Sequence, residues 1–150
     1  MKNEVLSLWE YTLNYGNVKA MKSALLNLKT PLTGLCLVSN SLTDQMFKLI
    51  LEGLLEVESL ASLTYGKNEM GELSLNSLLN ILPHLKELKL NNVKTNAKVL
   101  NKLIFEMSQE TNNLQTLTLS EWLIVMINRF HWLRYKNNRQ SDQIDSEIKN

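Results

Sequence analysis

The chain has 150 residues, 44% of them apolar and 21% charged, with a formal net charge of +1. That length is one ordinary domain, and the composition excludes intrinsic disorder, which requires low hydrophobicity and high net charge. The near-neutral balance also lacks the strongly basic footprint of a nucleic-acid binder, so no nucleic-acid partner is expected.

Leucine occurs 31 times and asparagine 18 times, while glycine and proline together number only 7. Leucine without turn residues points to helices or to a leucine-based repeat. Cys36 is the single cysteine, which rules out an internal disulfide or a multi-cysteine zinc site and favours a reducing compartment. The opening residues carry Glu4 and Glu10 among their apolar positions, unlike the clean apolar core of a signal peptide. The densest apolar run, Trp122 to Ile127, is cut off by Arg129, so no transmembrane segment is expected.

In chain order, a faint strand block comes first, with Leu6, Leu8 and Leu13 in phase and Tyr11 between the last two. Val18, Met21, Leu25 and Leu28 then follow helical spacing. The clearest block is 32–42, LTGLCLVSNSL, which fits L-x-x-L-x-L-x-x-N-x-L at every fixed position. A helix with Met46, Phe47, Ile50, Leu51 and Leu54 on one face follows, with Asp44 read as a helix-start residue. Glu52, Glu56 and Glu58 read as its solvated end. The block 60–70 places Leu60, Leu63, Tyr65, Asn68 and Met70 in the same phase, followed by Leu75, Leu78, Leu79 and Leu82 at helical spacing. Block 85–95 keeps Leu85, Leu88 and Leu90 but has Val93 in the asparagine slot; Val99, Leu100, Leu103, Ile104 and Met107 follow. Block 114–124 keeps Leu114, Leu117 and Leu119, with Trp122 in that slot. The blocks begin near 3, 32, 60, 85 and 114, in steps of 29, 28, 25 and 29. Pro31 and Pro83 fall just before two of them, where proline stops a helix and presets an extended entry.

These blocks resemble the leucine-rich repeat family, and the helix-length steps resemble its ribonuclease-inhibitor-like subgroup. The resemblance implies an α/β solenoid of about five repeats over residues 1–127. Its parallel strands would line a concave side and its helices a convex side, because strands stack about 4.8 Å apart and helices need about 10 Å. The buried asparagine would bond loop backbone groups that lack a ladder partner. Val93 and Trp122 cannot do so, which predicts irregular loops in the last two units, with Asn92 substituting for the first of them.

If the phase is right, alternation aims Val5, Ser7 and Trp9, Gly34, Cys36 and Val38, Ser62, Thr64 and Gly66, Glu87, Lys89 and Asn91, and Thr116, Thr118 and Ser120 outward. The candidate protein-binding residues among them are Trp9, Cys36, Val38, Thr64, Glu87, Lys89, Asn91 and Thr118. A groove of small residues admits a partner backbone closely, although a solvated face would look the same. The first strand has no polar capping unit, and an open sheet edge invites pairing. Residues 121–139 read as a helix that either caps the last unit or docks a partner through Arg129, Trp132 and Arg134. Residues 128–150 carry a net +2 against −1 for residues 1–127, and residues 140–150 read as a polar tail.

The chain has no nucleophile elbow, no zinc-protease helix motif and no glycine-rich phosphate loop. His84 and His131 lie 47 positions apart and read as structural. No catalytic residue, metal or cofactor is expected. The resemblance implies protein binding, since family members serve as inhibitors, adaptors and structural subunits, including in ciliary axonemes. The expected role is a protein-interaction scaffold in a multi-subunit assembly, intracellular and cytoplasmic, with ciliary or cytoskeletal association. One alternative is a GTPase-activating regulator like the Ran GTPase-activating proteins, which share the repeat class and act through a loop beside their strands; the loops here offer only Asn40, Asn68 and Asn92. The other is a peripheral membrane factor using the basic segment 121–139.

Overall fold

A computed structural model of the chain describes residues 4–109 and 113–119. Strands and helices alternate: β1 (Glu4–Trp9), α1 (Tyr15–Leu26), β2 (Leu32–Val38), α2 (Asp44–Leu54), β3 (Ser62–Gly66), α3 (Glu72–Ile81), β4 (Glu87–Asn91), α4 (Ala97–Met107) and β5 (Thr116–Leu119). The strands form one sheet in sequence order, every neighbouring pair parallel. This is an α/β fold. Neighbouring helices pack on one another along the chain, α1 on α2, α2 on α3 and α3 on α4.

The alternation of leucines makes the core. Leu6, Leu35, Leu63, Leu88 and Leu117 stand in one register row, and Leu8, Leu37, Tyr65, Leu90 and Leu119 in the next. From β2 onward these side chains are buried in a single cluster with Met46, Phe47, Ile50, Leu75, Leu78, Val99, Leu100, Leu103 and Ile104 from the helices. Each fully buried aliphatic side chain contributes about 1.5–3 kcal/mol, so adjacent strand-plus-helix units stabilise one another. Tyr65 takes a leucine position because its ring stacks on Phe47, centroids 3.6 Å apart, and its hydroxyl donates to the Glu69 carbonyl at 2.5 Å. Ile81, outside the expected apolar set, joins this core.

Local chemistry sets the helix starts. Asn14 accepts from Asn17 N–H at 2.8 Å while Asn17 accepts from Asn14 N–H at 3.1 Å, a reciprocal cap on α1. Thr43 Oγ1 accepts from Met46 N–H on α2, and Asn96 Oδ1 from Val99 N–H on α4. Pro83 lies in a short 3-10 turn, Leu82–His84, that ends α3 before β4. Pro31 immediately precedes β2.

Each of the first four strands leads into a left-handed residue: Glu10, Ser39, Lys67 and Asn92 have φ of 56°, 57°, 50° and 50°. Behind that turn sit the two buried asparagines. Asn68 accepts from Asn40 N–H (2.9 Å) and Leu42 N–H (3.2 Å) and donates to the carbonyls of Leu37 (3.2 Å) and Gly66 (2.8 Å). Asn40 donates to the carbonyls of Leu8 (3.3 Å) and Tyr11 (2.9 Å). Loop groups with no ladder partner are satisfied in this way.

Several expectations change. The loop at Val93 is not irregular: Lys67 N–H donates to Asn91 O, Lys94 N–H to Asn68 O and Met70 N–H to Lys94 O, all within 2.9 Å. Val93 is buried in the slot as an apolar plug, and Asn92 holds the left-handed position that asparagine tolerates. Leu28 lies past the end of α1 and is exposed rather than on its buried face. Glu52 is not a solvated helix end: it is half-buried and pairs with Lys22 of α1 at 2.6 Å and Lys48 at 3.7 Å. The expected helix 121–139, with Trp122, Arg129, Trp132 and Arg134, and the tail 140–150 lie outside the described residues.

Candidate protein-binding surface

The alternate strand residues compose the other face of the sheet. Register aligns Val5, Gly34, Ser62, Glu87 and Thr116 in one row and Ser7, Cys36, Thr64, Lys89 and Thr118 in a second. A third row holds Trp9, Val38, Gly66 and Asn91. All eight strand residues named from the sequence therefore share a face, brought together from positions 9 to 118.

Their depth differs from the expectation. Trp9 and Val5 are each 61% exposed, but Cys36 and Val38 are only 8% and 5% exposed, although neither belongs to the main core. Thr64, Glu87, Lys89, Asn91 and Thr118 are half-buried. Cys36 and Val38 stand on β2, flanked by β1 and β3 on its two sides. They are the floor of the face rather than its projecting contacts. Burial pushes the Cys36 thiol above its ordinary range, and the nearby Lys89 ammonium offsets this only in part. The thiolate is thus disfavoured, and with it reactivity.

Two glycines shape the same floor. A Cβ on Gly66 would sit 2.9 Å from the Asn91 carbonyl oxygen and 3.2 Å from Asn91 Cβ, so only glycine lets β3 and β4 run this close. A Cβ on Gly34 would meet the Val5 methyls at 3.1 and 3.3 Å, so Val5 leans across it. On the far side, Lys89 pairs with Glu87 at 2.8 Å. These charges largely neutralise each other, and the face is close to neutral.

Among the described residues there is no cluster of three or more His, Cys, Asp or Glu able to hold a metal ion. No helix among them is long and apolar enough to cross a membrane. His84 is exposed at the rim of a cavity of about 270 Å³ formed by Leu54, Val57, Leu60, Ile81 and Leu85, which Glu58 also lines. A second cavity, about 290 Å³, opens between β1 and α1 and is lined by Leu6, Met21, Leu25, Leu28 and Leu32. Neither was legible in sequence, because each lies where apolar side chains from separate elements fail to meet.

No family model matches the chain, and no curated protein matches it. A solved structure of leiomodin-1 actin-binding site 2 shares the fold, with a TM-score of 0.67 at 16% identity over 89% of this chain and 79% of that one.

Proposed function

We propose that this chain is a non-catalytic protein-interaction scaffold, built as a leucine-rich repeat solenoid of the ribonuclease-inhibitor-like kind with its sheet on the concave side. The observation that carries the reading is the set of three register rows. They lay short, neutral side chains flush across the sheet, between a projecting Trp9 and the Glu87–Lys89 pair. Such a floor admits a partner backbone closely, and an exposed tryptophan is the side chain that most often anchors an interface. The units of 25–29 residues, each a strand, a left-handed turn and a helix, support the family assignment, as does the asparagine pair beneath the turns.

The GTPase-activating alternative is disfavoured by that same pair. Asn40 and Asn68 are buried and bonded to backbone, so neither extends toward a bound nucleotide. The membrane alternative depends on residues 121–139, outside the described part. The proposed setting is an intracellular, cytoplasmic assembly, with cytoskeletal or ciliary association. The fold shared with a segment named for actin binding makes actin the first partner to test.

Lysine-directed cross-linking with mass spectrometry, on the native protein in extract and on the purified chain mixed with monomeric and filamentous actin, tests the surface. Partner peptides attached to Lys89 are expected. Cross-links confined to Lys48, Lys98 and Lys102, which sit on helices, would move the partner to the opposite side and overturn the reading.

A further inference from the structure

Among the described residues the first strand is an open edge of unusual composition. Among the described residues β1 pairs only with β2. Glu10 N–H donates to Val38 O at 2.9 Å, and backbone groups alternate in direction along a parallel strand. Leu6 and Leu8 therefore turn their N–H and C=O groups to β2, while Val5, Ser7 and Trp9 turn theirs to the free edge. Edge strands are normally blunted by lysine, proline or short length. This one has six residues, no proline and no lysine.

The side chains around that edge specify what fits it. Leu6, inward-facing like Leu35, is 38% exposed, since among the described residues no strand lies beyond β1 to cover it. Beside it opens the cavity between β1 and α1, whose walls are apolar and whose only charged lining residue is Glu4. An apolar slot with a carboxylate at its mouth suits a long aliphatic stem that ends in a cation. Glu10 places a second exposed carboxylate just past the other end of the strand, and neither acid forms an ion pair among the described residues. A second copy of the chain fits poorly. The antiparallel register that sets Val5 against Trp9 also sets Glu4 against Glu10, and like charges directly opposite are destabilising.

We propose that the free edge of β1 captures an extended, basic segment of a partner protein as a sixth strand. Backbone pairing runs to Val5, Ser7 and Trp9, a lysine or arginine stem lies in the β1–α1 cavity with its cation on Glu4, and a second cation meets Glu10. This goes beyond the reading of the outward face, since an edge and a face bind separately. Main-chain pairing supplies affinity in such strand addition, and the flanking charges supply selectivity.

The test uses the full chain and the capped peptide Lys-Val-Thr-Val-Thr-Val-Lys, whose lysines have the spacing of Glu4 and Glu10. The control peptide carries glutamate in place of both lysines. Titration calorimetry and amide hydrogen exchange are read together. Binding of the lysine peptide is expected, with slowed exchange at Val5, Ser7 and Trp9, and the control should bind about tenfold more weakly or not at all. Ser7→Pro removes an edge donor without touching the β1–β2 ladder and should abolish capture while the circular dichroism spectrum is kept. Glu4→Lys should weaken capture about tenfold and serves as the second variant should Ser7→Pro not fold. No binding at about 1 mM peptide, equal binding of the control, or binding intact in both variants overturns the proposal. So does self-association of the chain that protects these same amides. Lys89 cross-links are unaffected by any of these results, so the two surfaces fail or stand separately.

Discussion

Asp44 caps the helix of the next unit rather than its own, and Gly71 makes the room for it. Asp44 opens α2, yet its Oδ1 accepts from Gly71 N–H at 2.9 Å and Ser74 N–H at 2.8 Å, and its Oδ2 from Leu73 N–H at 3.2 Å. Those donors form the first turn of α3, which has no side-chain cap of its own. A Cβ on Gly71 would lie 2.6 Å from Asp44 Oδ2 and 2.8 Å from Cγ. The carboxylate is pinned by three hydrogen bonds and would have to leave. Asp44→Ala is expected to cost about 2 kcal/mol, the upper end for losing a cap. Gly71→Ala should cost a similar amount by expelling the same group. Because both remove one interaction, the double variant should cost little more than either alone. Urea melts of the four proteins check this; full additivity would show that the cap and the glycine act independently.

The same carboxylate sets an acid limit. Burial raises the Asp44 pKa, but hydrogen bonds from Ser74, Gly71 and Leu73 outweigh it and hold the group below its ordinary 3.8. Glu52 lies below its ordinary 4.5, chiefly through its hydrogen bond from Lys22. Both groups are depressed in the folded state, so the unfolded chain binds protons first. Their contribution is complete above the ordinary values and is lost as pH falls through the folded ones. Stability should therefore be flat near pH 7 and drop at about pH 4 and below. Asp44→Asn should make that drop shallower, as measured by melts at a series of pH values.

The leucine rows, the strand phase and the face assignment were legible because spacing alone decides which way a strand residue points. Depth was not. Cys36 and Val38 have the outward parity expected of them, and it is their place on a strand flanked on both sides that makes them a floor. Thr43 and Asp44 are both cap-forming types in the sequence, which marks one helix start. That the second of them serves α3 depends on how the units stack, about 30 residues apart in the chain. Val93 departs from the asparagine slot without disturbing its loop, because the left-handed residue before it and the main-chain bonds around it carry the turn.

Asn68 and Asn40 look equivalent in sequence, but their hydrogen bonds differ. The Asn68 amide holds two donors and two acceptors of the backbone, all buried. The Asn40 amide holds two carbonyls, and its Oδ1 has no partner among the described residues. Leu13 N–H, in the position that Leu42 holds in the following unit, donates instead to the Asn40 backbone carbonyl at 2.9 Å. Removing Asn68 strands four groups, removing Asn40 two. Asn68→Ala is expected to cost about 3 kcal/mol and Asn40→Ala about half that. Equal losses in denaturant melts would mean that the two loops are held by something other than these amides.

A gradient along one register row tests the packing as a whole. Leu6, Leu35 and Leu88 occupy the same row on β1, β2 and β4, yet Leu35 and Leu88 are 1% and 0% exposed while Leu6 lies at the open edge. Truncating a leucine with neighbours on every side removes its transfer free energy and leaves a cavity that interlocked units cannot close. Leu35→Ala and Leu88→Ala should each cost about 2–5 kcal/mol. Leu6→Ala loses less buried area and leaves a site already open to solvent, so about 1 kcal/mol is expected. The midpoint shifts at constant slope in urea give all three values. A loss below about 0.5 kcal/mol at Leu35 or Leu88 would contradict their place in the core, and a Leu6 loss as large as theirs would show that the β1 edge is covered in solution.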